Sequence, residues 1–226
     1  MEKFKRLEKL VGKEAINSLN EKTVLVLGIG GVGGYTVEAL VRSNIGKIII
    51  VDGDKIEKSN INRQIIALES TIGKKKTDVM KKRIKEINSN CEVITISEFI
   101  TKDNIDLLFK EKIDYLVDAC DTIKTKELVI KECIERKIKI ISSMGTAKKM
   151  DPSKLEITDI YKTINDPIAR IIRKFAKEEK IKHLTVLSSK ELPKDINDLG
   201  SNAFVPPTAG LLIASYIVND IVNSVK

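Results

Sequence analysis

Residues 23–40, TVLVLGIGGVGGYTVEAL, and residues 48–64, IIIVDGDKIEKSNINRQ, decide how this chain folds. The first stretch joins an apolar run to a glycine loop and the start of a helix. The second is another apolar run that ends in an acid and continues into a polar segment closing on arginine and glutamine. Val24–Gly28 reads as a buried strand, and Gly28, Gly30 and Gly33 stand at the spacing that lets backbone amides approach a phosphate at a helix N-terminus. Asp52, at the end of IIIVD, is placed to accept hydrogen bonds from a ribose hydroxyl pair. This much suits a dehydrogenase or a methyltransferase equally well. The residues after Asp52 discriminate.

Working outward, strand and helix patterns alternate from Thr23 to Ser142, the order that builds a parallel sheet with helices on both faces. Strands are expected near 23–28, 47–52, 92–97, 114–118 and 138–142, and helices near 32–43, 74–88, 103–110 and 122–136. Beyond Met144 the alternation stops. LEITDIY and HLTVLSS then alternate like edge strands, and Asp166-Pro167 resembles an N-cap and first-turn proline ahead of a basic helix. The fold class is therefore α/β: a Rossmann-like, doubly wound, largely parallel sheet extended by antiparallel strands. One domain over residues 1–226 is expected, with a nucleotide-binding core over about 20–143 and an elaboration over about 144–226. The polar stretch Glu191–Asn202 is the one segment that reads as a linker.

Charge and cysteine usage narrow the function. Lys+Arg 40 against Asp+Glu 32 gives +8, an excess that suits a polyanion such as RNA and equally a solvated lysine-rich surface. Cys91, Cys120 and Cys133 are far apart and form no C-x-x-C pair, so neither a disulfide framework nor a zinc site is indicated, and a reducing cytoplasm fits. The first residues, MEKFKRLEKLVGKEAINSL, read as a charged amphipathic helix without the apolar core of a secretory signal. Near the other end AGLLIASYIVNDIVNSV is interrupted by Asn219 and Asp220, which favours a buried docking helix over stable membrane insertion.

Arg63, together with the Gly73–Lys76 cluster, departs from ordinary dinucleotide binders. A dehydrogenase holds its pyrophosphate chiefly with amides and a helix dipole, whereas a triphosphate that is to be cleaved calls for converging cations. The glycine loop, Asp52, the run Ser59-Asn60-Ile-Asn62-Arg63-Gln64, Lys76 and the strand end Asp118-Ala-Cys-Asp121 together resemble the adenylating superfamily. That superfamily includes ubiquitin-activating enzymes and the bacterial activators of sulfur-carrier proteins. The resemblance implies that Gly28, Gly30, Gly31 and Gly33 border the phosphates of ATP and that Asp52, with Asp54 beside it, serves the ribose. It further implies that Asn60, Arg63, Gln64 and Lys76 meet phosphate oxygens and that Asp121 holds Mg2+. Arg63, Lys76 and Asp121 are the implied catalytic groups. The chemistry agrees, since arginine grips phosphate bidentately, lysine supplies a compact charge and a carboxylate is the hard oxygen ligand magnesium prefers.

Blander roles exist for the same residues. Arg63 and Lys76 suit a solvated surface, Asp121 suits a cap on the helix after it, Cys120 suits the core, and His183 suits a structural position that leaves no obvious general base.

Sulfur-carrier activators typically carry two C-x-x-C pairs, and ubiquitin-activating enzymes add a cysteine domain; this chain has neither. Through RSNIG at 42–46, DTIKTK at 121–126, the run from Gly145 to Lys174, SSKELP at 188–193 and LGSNAFVPPTAGLLIAS at 199–215 it resembles the branch that dehydrates threonylcarbamoyladenosine in tRNA to its cyclic form. That likeness implies a tRNA partner, with Lys148, Lys149, Arg170, Arg173 and Lys174, joined by Lys162 and Lys177, as phosphate contacts. It implies no DNA partner, a homodimer in which Arg6 reaches the other subunit's phosphates, and room for a sulfur-transfer protein. Two alternatives stand beside it: activation of the C-terminus of a carrier protein at the same ATP site, and a catalytically silent nucleotide-sensing or RNA-binding module.

Overall fold

The computed structural model describes residues 2–225. Seven strands form one sheet: β1 Thr23–Leu27, β2 Lys47–Val51, β3 Glu92–Ile96, β4 Tyr115–Asp118, β5 Lys139–Ser143, β6 Leu155–Asp159 and β7 Thr185–Ser189, in the order β3-β2-β1-β4-β5-β7-β6. Every pairing is parallel except that of β6 with β7. The helices are α1 Lys5–Val11, α2 Lys13–Asn20, α3 Gly33–Arg42, α4 Lys76–Ile87, α5 Ile123–Glu135, α6 Pro167–Glu178 and α7 Val205–Asn223.

The period-2 geometry of the central strands sorts their side chains to two cores. Val24, Val26, Ile48, Ile50 and Val117 face a layer containing Leu40, Met80, Ile213 and Ile217 from α3, α4 and α7. Leu25, Leu27, Ile49, Val51 and Leu116 face Val129, Ile130 and Cys133 of α5 and Ile172 and Ala176 of α6. Because both faces are covered, these strands read as unbroken apolar runs. By length and hydropathy α7 is apolar enough to cross a bilayer, yet Ala209, Ile213, Ala214, Ile217 and Ile221 are buried inside the fold, where each isoleucine contributes about 1.5–3 kcal/mol. It is the expected docking helix.

Several sequence expectations need correction. The helix expected at 103–110 is a 3-10 segment, Ile105–Phe109, whose buried Ile105 and Leu108 stand three apart and so eclipse in a three-residue turn. The N-terminal helix is split at Gly12, which takes φ +91 between α1 and α2. HLTVLSS does not lie at an edge: β7 sits between β5 and β6, and of those two expected edge strands β6 alone is one. Asp166 does cap α6, its Oδ1 accepting from the Ala169 N–H at 3.0 Å ahead of Pro167. Glu191–Asn202 is tied down rather than a free linker, since Lys148 N–H donates to Gly200 O at 2.8 Å, Lys194 N–H to Lys148 O at 2.7 Å, and Glu191 accepts from the Met150 and Asp151 N–H groups.

Candidate active site

The chain leaves β1 and β4 toward opposite sides of the sheet, and this reversal opens a crevice beyond their carboxyl ends, where α/β folds place ligands. A cavity of ≈ 540 Å³ fills it, a volume that suits a nucleotide. Its walls include Gly28, Gly30, Gly31, Asp52, Asp54, Asn60, Arg63, Gln64, Lys76 and Asp121, so one space gathers nearly all the residues singled out in the sequence.

The glycines divide the work. Gly28 has φ +87, and a Cβ there would stand 2.7 Å from Ala119 O; a Cβ on Gly33 would stand 1.8 Å from Gly28 O. These two shape the turn, and Gly33 lies behind the cavity wall. Gly30 is different. The nearest atom to a Cβ at Gly30 would be Gln64 Nε2 at 3.8 Å, so this residue leaves room on the cavity side. At Gly31 the backbone is crowded by Pro206 and by Arg63 Cγ, which a Cβ would meet at 3.1 and 3.3 Å. No side chain caps the start of α3, where the Gly34 N–H is taken by Gly30 O at 3.0 Å.

Asp52, buried at the end of β2, accepts from the Ile29 N–H at 2.6 Å through Oδ2 and from the Asp54 N–H at 2.8 Å through Oδ1. Burial raises its carboxyl above the usual 3.8, opposed by the Lys76 ammonium and by those two N–H donors. Lys76, first residue of α4 and itself buried, places Nζ 2.7 Å from Asp54 Oδ2 and 3.8 Å from Asp52 Oδ1. Its charge is thus shared with two acids of the cavity wall. Arg63 has no carboxylate within ion-pair distance among the described residues; its Nη1 donates to Ser59 O at 3.0 Å and to Asn62 Oδ1 at 2.8 Å. The side-chain oxygen of Asn60 accepts the Glu57 N–H at 3.1 Å and closes the 3-10 turn Lys58–Asn60, leaving the amide nitrogen a long contact of 3.4 Å to Ser59 Oγ. Gln64 is buried, and its Oε1 has no hydrogen-bond partner. The bare glycine and an arginine free of any acid fit an anionic ligand, and the orphaned Gln64 oxygen calls for a hydrogen-bond donor on the same ligand.

Asp121 is exposed to the cavity and does not cap α5, whose N-cap is Thr122; its own polar contact is a 3.4 Å approach from the Thr122 hydroxyl. No group of three or more His, Cys, Asp or Glu side chains able to hold a metal occurs among the described residues. A cavity carboxylate with no cation paired to it among the described residues fits Mg2+ shared with phosphate oxygens. Cys120 lines the cavity, but burial pushes its thiol well above the ordinary range, with the adjacent Asp118 adding to the shift, so it offers no thiolate nucleophile. His183 opens the approach to β7 at the other end of the sheet, beside Asp159.

Of the basic residues expected to meet tRNA, Lys149 must be withdrawn. Its side chain is 1% exposed, paired with Asp166 at 3.1 Å and donating to Gly145 O at 2.8 Å, so it cannot reach an external phosphate. Arg173 is turned inward, donating to Ile160 O at 3.1 Å and Thr163 O at 2.6 Å, and Lys148 Nζ is engaged by Ile196 O. Arg170 and Lys174 remain on the exposed face of α6, and exposed Lys177 shares it.

Sequence reasoning missed part of the wall. Phe99, Ile100 and Thr101 follow β3, and Thr146 and Ala147 follow β5; their place just past strand ends was the available signal. Leu199, Ser201 and Pro206 come from the segment leading into α7 and from its start, inside the run 199–215 that carried the family resemblance but no sign that it walls the site.

The fold and site define a Rossmann-like α/β protein whose crevice beyond the parallel strands brings a glycine loop together with Arg63 and Lys76. The ThiF family model matches residues 4–218, and the chain belongs to the ThiF family. It is 42% identical to the tRNA threonylcarbamoyladenosine dehydratase of Bacillus subtilis over 100% of this chain and 97% of that protein. The Haemophilus influenzae protein of the same name is 39% identical over 79% of this chain and 68% of its own length. The crystal structure of Escherichia coli tRNA N6-threonylcarbamoyladenosine dehydratase in complex with ATP superposes with a TM-score of 0.94 at 30% identity, covering 99% of this chain and 95% of that one.

Proposed function

We propose that this protein is an ATP-dependent tRNA threonylcarbamoyladenosine dehydratase. The observation that carries the reading is the end-to-end likeness to a bacterial relative of that name, joined to a cavity that gathers a glycine loop, Arg63, Lys76 and Asp121. In this reading the ribose of ATP sits on Asp52 and the triphosphate runs past Gly30 toward Arg63 and Lys76. The threonyl carboxylate of the modified nucleoside attacks the α-phosphate, pyrophosphate departs, and the carbamoyl group closes on the activated carbonyl, giving up a proton to solvent as AMP leaves with one carboxylate oxygen. The nucleotide takes away the oxygen that would otherwise depart as water.

Arg63 stabilises the negative charge that builds on the phosphate oxygens, and its freedom from any acid leaves that charge undiminished. Lys76 adds a second cation while holding Asp52 and Asp54 in place. Asp121 would hold Mg2+, which when bound neutralises phosphate charge. Ring closure needs no enzyme nucleophile, because the attacking group is already part of the same molecule. The exposed cations Arg170 and Lys174 would meet tRNA, and exposed Arg6 on α1 would reach the phosphates of a second subunit in a homodimer working in the cytoplasm.

The test incubates the protein with ATP, Mg2+ and tRNA bearing threonylcarbamoyladenosine, then weighs the nucleoside under conditions mild enough to preserve a strained ring. Loss of one water is expected. An unchanged nucleoside together with AMP transfer to a carrier protein would replace this reading with activation of a carrier C-terminus.

A further inference from the structure

Directly beneath the cavity lies an ion pair that touches no space a ligand can enter. Asp118, last residue of β4, is 0% exposed, and the Lys126 side chain in the first turn of α5 is 1% exposed. Lys126 Nζ stands 3.0 Å from Asp118 Oδ2 and donates to Ser143 O at 2.8 Å, and Ser142 Oγ donates to the same carboxylate oxygen. The other oxygen, Oδ1, accepts from the Cys120 N–H at 3.3 Å and from the Cys120 thiol at 3.1 Å. The pair therefore clamps both ends of the short segment between β4 and α5. Asp121 is on that segment, one residue beyond the N–H that Asp118 holds, and Lys126 N–H donates to Thr122 O at 3.0 Å just after it. The segment's other side bears on the glycine loop: Ala119 N–H donates to Leu27 O at 2.8 Å, and Ala119 O leaves no room for a Cβ on Gly28.

An ion pair withdrawn from water is seldom maintained for stability, since two matched apolar side chains serve as well. What it supplies is a fixed geometry, through five directional contacts converging on two side chains. From this arrangement we infer that Asp118 and Lys126 are positioning residues that set where the Asp121 carboxylate meets Mg2+, without touching nucleotide or metal themselves. The inference rests on the proposed role of Asp121. Charged groups behind a metal-binding carboxylate commonly act in this way, and their loss costs about 10–100-fold in metal affinity.

The test compares wild type with Asp118→Asn/Lys126→Met, which removes both charges and nearly keeps the shape. ATP binding is measured by titration calorimetry in EDTA and across a Mg2+ series, alongside thermal melting. The double variant is expected to melt near wild type, to bind ATP in EDTA as wild type does, and to need about ten times more Mg2+ to reach half of the metal-dependent gain. In an Asp121→Asn background the same double change is expected to have no further effect on the Mg2+ requirement, which a general loosening of the fold would not reproduce. An unaltered Mg2+ requirement in a folded double variant overturns the inference. Should that variant fail to fold, Lys126→Arg decides: it keeps the charge but not the compact reach to both Asp118 and Ser143, so a raised Mg2+ requirement supports the inference and an unaltered one overturns it. Wild type that binds ATP without any Mg2+ dependence removes the Asp121 assignment itself, and the inference falls with it.

Discussion

Replacing Arg63 with alanine separates chemistry from folding. The guanidinium's hydrogen bonds go to Ser59 O at 3.0 Å and Asn62 Oδ1 at 2.8 Å, both at exposed positions where water readily substitutes. Their net worth is at most about 1 kcal/mol, which in a chain of this size lowers Tm by roughly 2–4 °C. The transition state is affected far more. A donor aimed at developing phosphate charge contributes about 10²–10³ in turnover, equivalent to about 2.7–4 kcal/mol. Arg63→Lys is expected to recover only part of the loss, because an ammonium restores the charge but not the paired N–H donors. The assay is single-turnover formation of the dehydrated nucleoside followed by mass, with melting monitored by circular dichroism. Wild-type turnover in a folded Arg63→Ala protein removes Arg63 from the chemistry. A collapse of Tm with the activity would instead make it a structural residue.

Four further outcomes follow from the geometry. Gly30→Ala is expected to melt like wild type yet bind ATP weakly, because its methyl enters the cavity; Gly28→Ala is expected to lose about 1–3 kcal/mol of stability, because φ +87 and the nearby Ala119 O both oppose a side chain. Equal melting of the two variants would refute that division. Because burial raises the Asp52 pKa in the folded protein, its ionised form costs stability near neutrality, and that cost shrinks as pH falls below the folded-state value and is gone below the ordinary 3.8. Protonated Asp52 accepts fewer hydrogen bonds, so ATP affinity falls over the same acid range, and Lys76→Met moves the midpoint to higher pH by removing the opposing charge; a midpoint unmoved or lowered would contradict the assignment. Arg170→Glu with Lys174→Glu is expected to raise the KM for tRNA and flatten its salt dependence without altering ATP binding, and an unchanged salt slope would remove α6 from the tRNA surface. Lys149→Ala, by contrast, strands the buried Asp166 carboxylate and is expected to cost about 3–5 kcal/mol, visible as a large fall in Tm.

The central sheet was legible because its strands are covered on both faces and so appear as apolar runs such as KIIIV, and after β1 and β4 a helix starts within a few residues. The glycine loop and Asp52 were legible because close backbone approach restricts the residue types that fit. What failed depended on contacts distant in sequence. HLTVLSS reads like an edge strand, and only its neighbours β5 and β6 make it an interior one. Lys149 looks like any other lysine in KKMD until Asp166 closes over it, and Lys126 likewise until Asp118 and Ser143 meet it. The polar stretch Glu191–Asn202 lacks an apolar period because backbone hydrogen bonds to the 148–151 loop, rather than a buried face, hold it. Composition and period register burial of apolar faces well; they are blind to buried charge and to loops fixed by their own backbone.

In the proposed reaction a carboxylate of the modified nucleoside is charged with AMP in the cavity that Arg63, Lys76 and Asp121 share. The most direct measurement uses tRNA whose threonyl carboxylate carries a heavy oxygen isotope, followed through one turnover with mass analysis of the nucleotide products. The account predicts one labelled oxygen in AMP, with pyrophosphate unlabelled. Label recovered in inorganic phosphate, in pyrophosphate or in water would contradict it.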